Sequence, residues 1–225
     1  MVALLWIALA TPLAAALIVR FAPRASAALA AAGAVAAALP AWVLLAGAAS
    51  GTGADSAFEW LPAAGLEVGL RLDGLSAVMA ATVATVGLVV VVYATGYFAG
   101  DPRRPSALAG LLAFLAAMQG LVLADGYLTL LIFWELVGAA SARLIAYSRE
   151  DPAAAPGAVR AFLTTRSADL GLYLAVLALF AATGGLGFDA QRPEGALGAV
   201  VGLGLVLAAM GKSAQAPLQT WLSAA

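Results

Sequence analysis

Ionisable side chains occur within long apolar stretches of this sequence. Glu135 lies in LLIFWELVGAAS, and Lys212 ends a run of uncharged residues that begins at Gly195. Arg166 and Asp169 lie three residues apart in FLTTRSADLG. A charge at the centre of a bilayer costs about 2.5–3.5 kcal/mol on insertion scales, so such residues are usually functional. Carboxylates and an amine that can pair with one another can also exchange protons, and the sequence therefore indicates proton chemistry.

Lys212 carries the strongest argument for a proton path. Burial in a low-dielectric interior favours the neutral amine, whereas a facing carboxylate favours the ammonium, so a lysine whose partner moves can bind and release a proton. Pro217 blocks helical hydrogen bonding shortly afterwards, and helix breaks at membrane depth are tolerated where they are buried or line a polar cavity. Ser213, Gln215 and Gln219 can hold water at such a break.

A purely structural interpretation also exists for each of these charges. Glu135 can pair with a neighbouring helix, and Arg166 and Asp169 share a helix face on which they can neutralise each other. Arg143 lies further along the span of Glu135, where its guanidinium can snorkel to the membrane edge. Pairing and function are compatible, because a pair that opens and closes changes the proton affinity of its neighbour.

The composition excludes several other kinds of chemistry. The chain has 225 residues, of which 64% are hydrophobic and 10% charged, whereas globular chains carry about 25% charged residues. A chain of this composition is embedded in a membrane. It contains no cysteine and no histidine, so thiol chemistry, haem ligation by histidine and the usual zinc sites are excluded, and we expect no cofactor or metal. A net charge of −1 without a basic tract also argues against nucleic acid as a partner.

Seven stretches are long enough to cross a bilayer, which takes about 20 apolar residues, so the sequence predicts an all-α membrane protein. The predicted spans are residues 2–19, 27–48, 75–98, 106–124, 127–147, 158–182 and a seventh from 196 that meets Lys212 and is interrupted near Pro217. Between the second and third spans, FEWLPAAGLEVGLRLDG predicts a small extracytoplasmic hairpin. We expect N-terminal transmembrane helices at 1–54, this loop or hairpin at 55–73, and a transmembrane bundle at 74–225.

The arginines of the connecting loops predict the orientation. One set of alternate loops holds six arginines, and the other set holds two. The six are Arg20, Arg24, Arg103, Arg104, Arg149 and Arg160, and the two are Arg71 and Arg192. The positive-inside rule places the six in the cytoplasm and the N-terminus outside.

Six ordered motifs resemble the antiporter-like membrane subunits of respiratory NADH-quinone oxidoreductase (complex I), and most of all the branch of the L subunit. They are LRLDGLS, VVYATGYF, LVLAD, FWELVG, RAFLTTRSADLG and GKSAQAPLQTWL, and the similarity runs from about residue 55 to the end. The resemblance implies that Glu135 and Lys212 form a proton-translocation pair and that Arg166 and Asp169 modulate it. It also implies that this sequence corresponds to the N-terminal portion of such a subunit, since family members continue beyond TWL. In SARLIAY, Arg143 stands where the family usually has an aromatic residue.

The function implied by the resemblance is that of a proton-translocating subunit with no redox or quinone site of its own. Its partners would be the lipid bilayer and other membrane subunits of the respiratory complex. NADH and quinone would act on it only through those subunits. A bacterial-type plasma membrane is the expected location. Two alternatives stay open: the large subunit of a multisubunit sodium–proton antiporter, which the family also resembles, and a truncated or split structural fragment that transports nothing.

Overall fold

Seven α-helices long and apolar enough to cross a membrane make up most of the computed structural model, which describes residues 1–148, 150–189 and 193–224. They are α1 (Val2–Phe21), α2 (Ser26–Ala49), α3 (Gly74–Tyr97), α4 (Arg104–Val122), α5 (Tyr127–Ile145), α6 (Ala154–Thr183) and α7 (Gly195–Lys212). A helix satisfies its backbone polar groups internally, which lipid requires of a spanning segment. The prediction of an all-α membrane protein with seven transmembrane helices is confirmed.

The helix ends differ from the predicted ones in two places that concern the charged residues. Helix α6 begins at Ala154 rather than at 158, and Arg160, which the orientation prediction counts with a loop, lies inside the helix. Arg149 and Arg192, which the orientation prediction also uses, lie outside the described residues. The orientation therefore stays a prediction.

Helix α7 ends at Lys212, before Pro217 is reached. The backbone N–H of Gln215 donates to the carbonyl of Met210 at 2.9 Å, and Ala214 adopts a left-handed φ of 50°. This arrangement is a Schellman cap, which satisfies carbonyls at the end of a helix. After Pro217 the chain forms a short 3₁₀ helix at Gln219–Ala224, so the predicted interruption is present and begins at the cap.

A two-stranded hairpin lies between α2 and α3, as the sequence predicts. Its strands are β1 (Ala54–Leu61) and β2 (Leu66–Leu72). A 3₁₀ turn at Pro62–Ala64 is followed by Gly65 with φ 61°, a left-handed conformation that costs glycine little because it has no Cβ. The side of the membrane on which the hairpin lies stays a prediction.

The chain divides into two compact units. The first unit, residues 1–58 and 69–125, contains α1 to α4. Its core draws small and branched side chains from all four helices, which lets helix backbones approach closely in lipid. One cluster of this core consists of Ala15, Ala16, Val19, Ala30, Ala34, Val91, Ala94, Leu108, Ala109 and Leu112.

The second unit, residues 59–68 and 126–225, contains α5 to α7. Helix α6 packs against both α5 and α7. Leu172, Val176 and Ala208 form part of its core, with aromatic and aliphatic side chains of α5 packed against them. The predicted bundle at 74–225 contains residues of both units.

Candidate functional site

Small residues bring α6 and α7 into close contact within the second unit. A Cβ built on Gly171 would lie 2.6 Å from the carbonyl oxygen of Gly204, and a Cβ on Gly204 would overlap the carbonyl oxygen of Gly171. Further along the two helices, a Cβ on Gly211 would overlap that of Ala168. The residues that follow Ala168 and Gly211 are the carboxylate and the lysine predicted for the site. The glycine contacts therefore determine how far apart these two groups are held.

The guanidinium of Arg166 on α6 contacts two carboxylates. Its Nη1 forms an ion pair with Oε2 of Glu135 on α5, and its Nη2 lies 3.4 Å from Oδ2 of Asp169. The Asp169 side chain is completely buried, whereas 19% of the Arg166 side chain and 26% of the Glu135 side chain are exposed. One cation thus holds two acidic groups that would otherwise repel each other.

Lys212, at the end of α7, contacts Trp134 rather than a carboxylate. Its Nζ donates to the backbone carbonyl of Trp134 at 3.4 Å and lies 5.0 Å from the centre of the indole, within the range of a cation–π interaction. Among the residues that the structure describes, Lys212 forms no ion pair. Glu135 is therefore paired with Arg166 and not with the lysine.

Gly138 makes room for both cations on α5. A Cβ on this residue would overlap Nη2 of Arg166 and would lie 3.2 Å from Nζ of Lys212. Gly138 follows Glu135 by one helical turn, on the same face of α5. The two cations and two carboxylates thus form one group of charges with a formal sum of zero, which is the least costly way to keep them in a membrane.

Some of these buried polar atoms lack hydrogen-bond partners. Within the described ranges they are Oε1 of Glu135, Nε and Nη2 of Arg166, and Oδ2 of Asp169. Most buried polar atoms in proteins are hydrogen-bonded, so each exception calls for an explanation, of which a chemical role is one. Oε2 of Glu135 is held by Arg166, and Oε1 has no hydrogen bond within the described residues.

The structure brings together the four charged residues that the sequence singles out, and it places the other candidates elsewhere. Arg143 lies in the last turn of α5 and is exposed. Ser213 and Gln215 are exposed in the cap of α7, and Gln219 is exposed in the 3₁₀ helix beyond it.

Sequence reasoning missed Trp134 and Gly138 as parts of the site. The signal that identifies both is their spacing from Glu135: Trp134 precedes it directly, and Gly138 follows three residues later.

Two family models match the chain. The model for the transmembrane region of the NADH:quinone oxidoreductase/Mrp antiporter family matches residues 124–225, which include all four charged residues of the site. The model for the N-terminus of chain 5 of NADH-ubiquinone oxidoreductase (complex I) matches residues 60–106.

Similar proteins carry related names. NADH-quinone oxidoreductase subunit L of Mycobacterium tuberculosis is 39% identical over 172 residues, which are 73% of this chain and 27% of that protein. NAD(P)H-quinone oxidoreductase chain 5 of Synechocystis is 39% identical over 177 residues, which are 73% of this chain and 26% of that protein. The chain belongs to the family of antiporter-like membrane subunits that includes subunit L of NADH-quinone oxidoreductase, and it spans about a quarter of the length of these relatives.

A solved structure supports the same fold. One chain in the structure of the Mrp complex from Dietzia sp. DQ12-45-1b superposes with a TM-score of 0.85 at 30% sequence identity, over 98% of this chain and 24% of that one. The seven-helix arrangement described above is thus found in a longer chain of a membrane complex.

Proposed function

We propose that this chain translocates protons across the membrane as part of a multisubunit NADH-quinone oxidoreductase. The observation that carries the proposal is the arrangement of charges on α5, α6 and α7. Arg166 holds Glu135 and approaches Asp169, while Lys212, which forms no ion pair within the described ranges, contacts the same stretch of α5 through Trp134. Two alternative partners for Glu135 therefore lie within one cluster.

The exchange of Glu135 between these partners provides a proton switch. While Arg166 holds Glu135, the Lys212 ammonium lacks that carboxylate as a partner and its proton leaves more easily. When Glu135 turns from Arg166 to Lys212, the carboxylate stabilises the ammonium and the amine takes up a proton. Asp169 remains beside Arg166 in both states, so the guanidinium keeps a counter-charge when Glu135 leaves it. Repeated exchange moves protons if the lysine opens to different sides of the membrane in the two states.

The energy for the exchange would come from partner subunits. In this proposal the chain binds neither NADH nor quinone, and its partners pass on a conformational or electrostatic signal that displaces Arg166. The names of the relatives, which are subunits of quinone oxidoreductases, support such an assembly. In this proposal the chain lies in a bacterial-type plasma membrane, and the arginine distribution supports an N-terminus outside it.

Neutralising either end of the switch tests the proposal. Glu135→Gln and Lys212→Ala are introduced into the full-length protein within its complex, and inverted membrane vesicles are assayed for NADH oxidation and for acidification of their interior. We expect both variants to insert normally but to move far fewer protons per NADH. Glu59→Gln makes the same chemical change at an exposed position of β1 and serves as the control. An unchanged proton-to-electron ratio in both site variants contradicts the proposal.

Sodium–proton antiport is the second candidate, because the Mrp complex chain superposes on nearly the whole of this one. The two functions differ in their driving force. An antiporter acidifies or alkalinises vesicles when a sodium gradient is applied without NADH, whereas the oxidoreductase subunit needs NADH and not sodium. Sodium-driven proton movement that Lys212→Ala abolishes would favour the antiporter.

A further inference from the structure

Trp134 on α5 contacts both halves of the charge cluster. Its indole Nε1 donates a hydrogen bond to Oδ1 of Asp169 at 2.5 Å. Its backbone carbonyl accepts from Nζ of Lys212 at 3.4 Å, and its ring lies 5.0 Å from the same ammonium. One residue therefore connects the buried carboxylate of α6 to the lysine of α7.

The bond to Asp169 fixes where the negative charge of that carboxylate points. Asp169 is completely buried, one of its oxygens accepts from the indole, and the other faces Arg166. An indole N–H donates and cannot accept, so it stabilises the ionised carboxylate without taking part in proton transfer. The ionised Asp169 in turn attracts the guanidinium that also holds Glu135.

The ring contact depends on the same side-chain conformation. A cation is attracted to the face of an indole, so the orientation of the ring affects where the Lys212 ammonium is most stable. The bond from Nε1 to Asp169 fixes that orientation. If Arg166 moves and Asp169 follows it, the indole must turn, and the lysine loses or changes its contact.

We propose that Trp134 is a positioning residue that couples the Arg166–Asp169 pair to Lys212. The proposal rests on the function proposed above, because it assigns Trp134 to the proton switch. It extends that function, because movement of Arg166 and Asp169 on α6 would change the position of Trp134 and thereby the contact of Lys212 on α7.

The Trp134→Phe variant removes the hydrogen bond to Asp169 and keeps an aromatic ring at this position. Phenylalanine keeps an aromatic face but has no N–H for Asp169. Losing a hydrogen bond to a charged group corresponds to about tenfold in an equilibrium, and we expect a fall of about tenfold in NADH-driven proton movement, with an altered pH profile. Trp42→Phe is the matched control, because Nε1 of Trp42 donates to Thr85 at 2.9 Å and both residues belong to the first unit, whereas the charge cluster belongs to the second.

A spectroscopic measurement tests the coupling without relying on transport. The full-length protein is labelled with 5-fluorotryptophan, and the ¹⁹F resonance of Trp134 is assigned from its loss in Trp134→Phe or, if that variant does not fold, in Trp134→Tyr. We expect this resonance to shift both in Asp169→Asn and in Lys212→Ala, while the Trp42 resonance stays in place.

The two experiments distinguish failure of this proposal from failure of the proposed function. A Trp134 resonance that responds to Asp169→Asn but not to Lys212→Ala overturns the coupling, whatever the transport result. Proton movement and a pH profile in Trp134→Phe equal to those of Trp42→Phe also overturn it. If the resonance responds to both changes but Glu135→Gln and Lys212→Ala pump normally, the coupling stands and the proposed function fails.

Discussion

Replacing Arg166 by glutamine leaves two carboxylates without the cation that holds them. Removing one partner of a buried ion pair costs about 3–5 kcal/mol of stability. We apply that range to the loss of both contacts together, because Asp169 is completely buried whereas 26% of the Glu135 side chain is exposed. We therefore expect Arg166→Gln to lower the free energy of unfolding by about 4 kcal/mol.

A second substitution shows how much of this cost comes from Asp169. Asp169→Asn removes one negative charge but keeps an oxygen that can accept from Trp134, so we expect it alone to cost about 1–2 kcal/mol. In the Asp169→Asn protein, Arg166→Gln leaves only the Glu135 carboxylate without its cation and costs about 2 kcal/mol. The two substitutions should thus be coupled by about 2 kcal/mol, which lies within the range measured for residues in contact.

Unfolding of the full-length protein by sodium dodecyl sulfate, followed by circular dichroism, measures these free energies. Arg160→Gln serves as a control, because it removes an exposed guanidinium from the same helix, α6, and should cost less than about 1 kcal/mol. The reasoning is refuted if Arg166→Gln costs no more than the control. It is also refuted if its cost is the same with and without Asp169→Asn.

Two glycine substitutions test how the helices position the cluster. In Gly138→Ala the new methyl group would overlap the guanidinium of Arg166 and crowd Lys212. Because misplacement of a reacting group by about 1 Å can cost about a hundredfold in rate, we expect proton movement per NADH in vesicles to fall at least about tenfold. In Gly204→Ala the methyl group would overlap the carbonyl of Gly171, so we expect α6 and α7 to separate and detergent-induced unfolding to show a loss of about 1–3 kcal/mol.

Gly202→Ala is the control for both substitutions. Gly202 lies on α7, as Gly204 does, but a Cβ on Gly202 would meet no atom within 4 Å. Alanine has a higher helix propensity than glycine, so this variant should be as stable as the native protein or slightly more stable. Equal stability of the Gly204→Ala and Gly202→Ala variants would contradict the role of the glycine contact, and normal pumping by Gly138→Ala would contradict the role of Gly138.

The helices and the candidate charges could be predicted from sequence because both depend on local composition. Apolar runs of bilayer length identify the spans, and the insertion cost of a charge marks Glu135 and Lys212 as residues that need a reason. The turn residues Pro62 and Gly65 identify the hairpin in the same local way.

The partners of the charges could not be predicted in this way. Whether Glu135 meets Arg166 or Lys212 depends on how closely α5 approaches α6 and α7. The close approach of Gly138 on α5 to both cations leaves no periodic signal in the sequence. The role of Trp134 was missed because an aromatic residue in an apolar run is usually a packing residue, and the acceptor of its N–H lies on another helix.

The end of α7 was also hidden from sequence analysis. Its cap places Ala214 in the left-handed conformation that glycine usually occupies. Pro217 indicated an interruption, but it did not indicate the residue at which the helix ends.

The central claim is that the Glu135 carboxylate exchanges Arg166 for Lys212 as its partner during turnover. Infrared difference spectroscopy of the full-length complex, comparing the resting state with the state during NADH oxidation, measures this directly. The account predicts a carboxyl band that changes on energisation, is absent in Glu135→Gln and is altered in Arg166→Gln. A difference spectrum identical in the native protein and Glu135→Gln would contradict it.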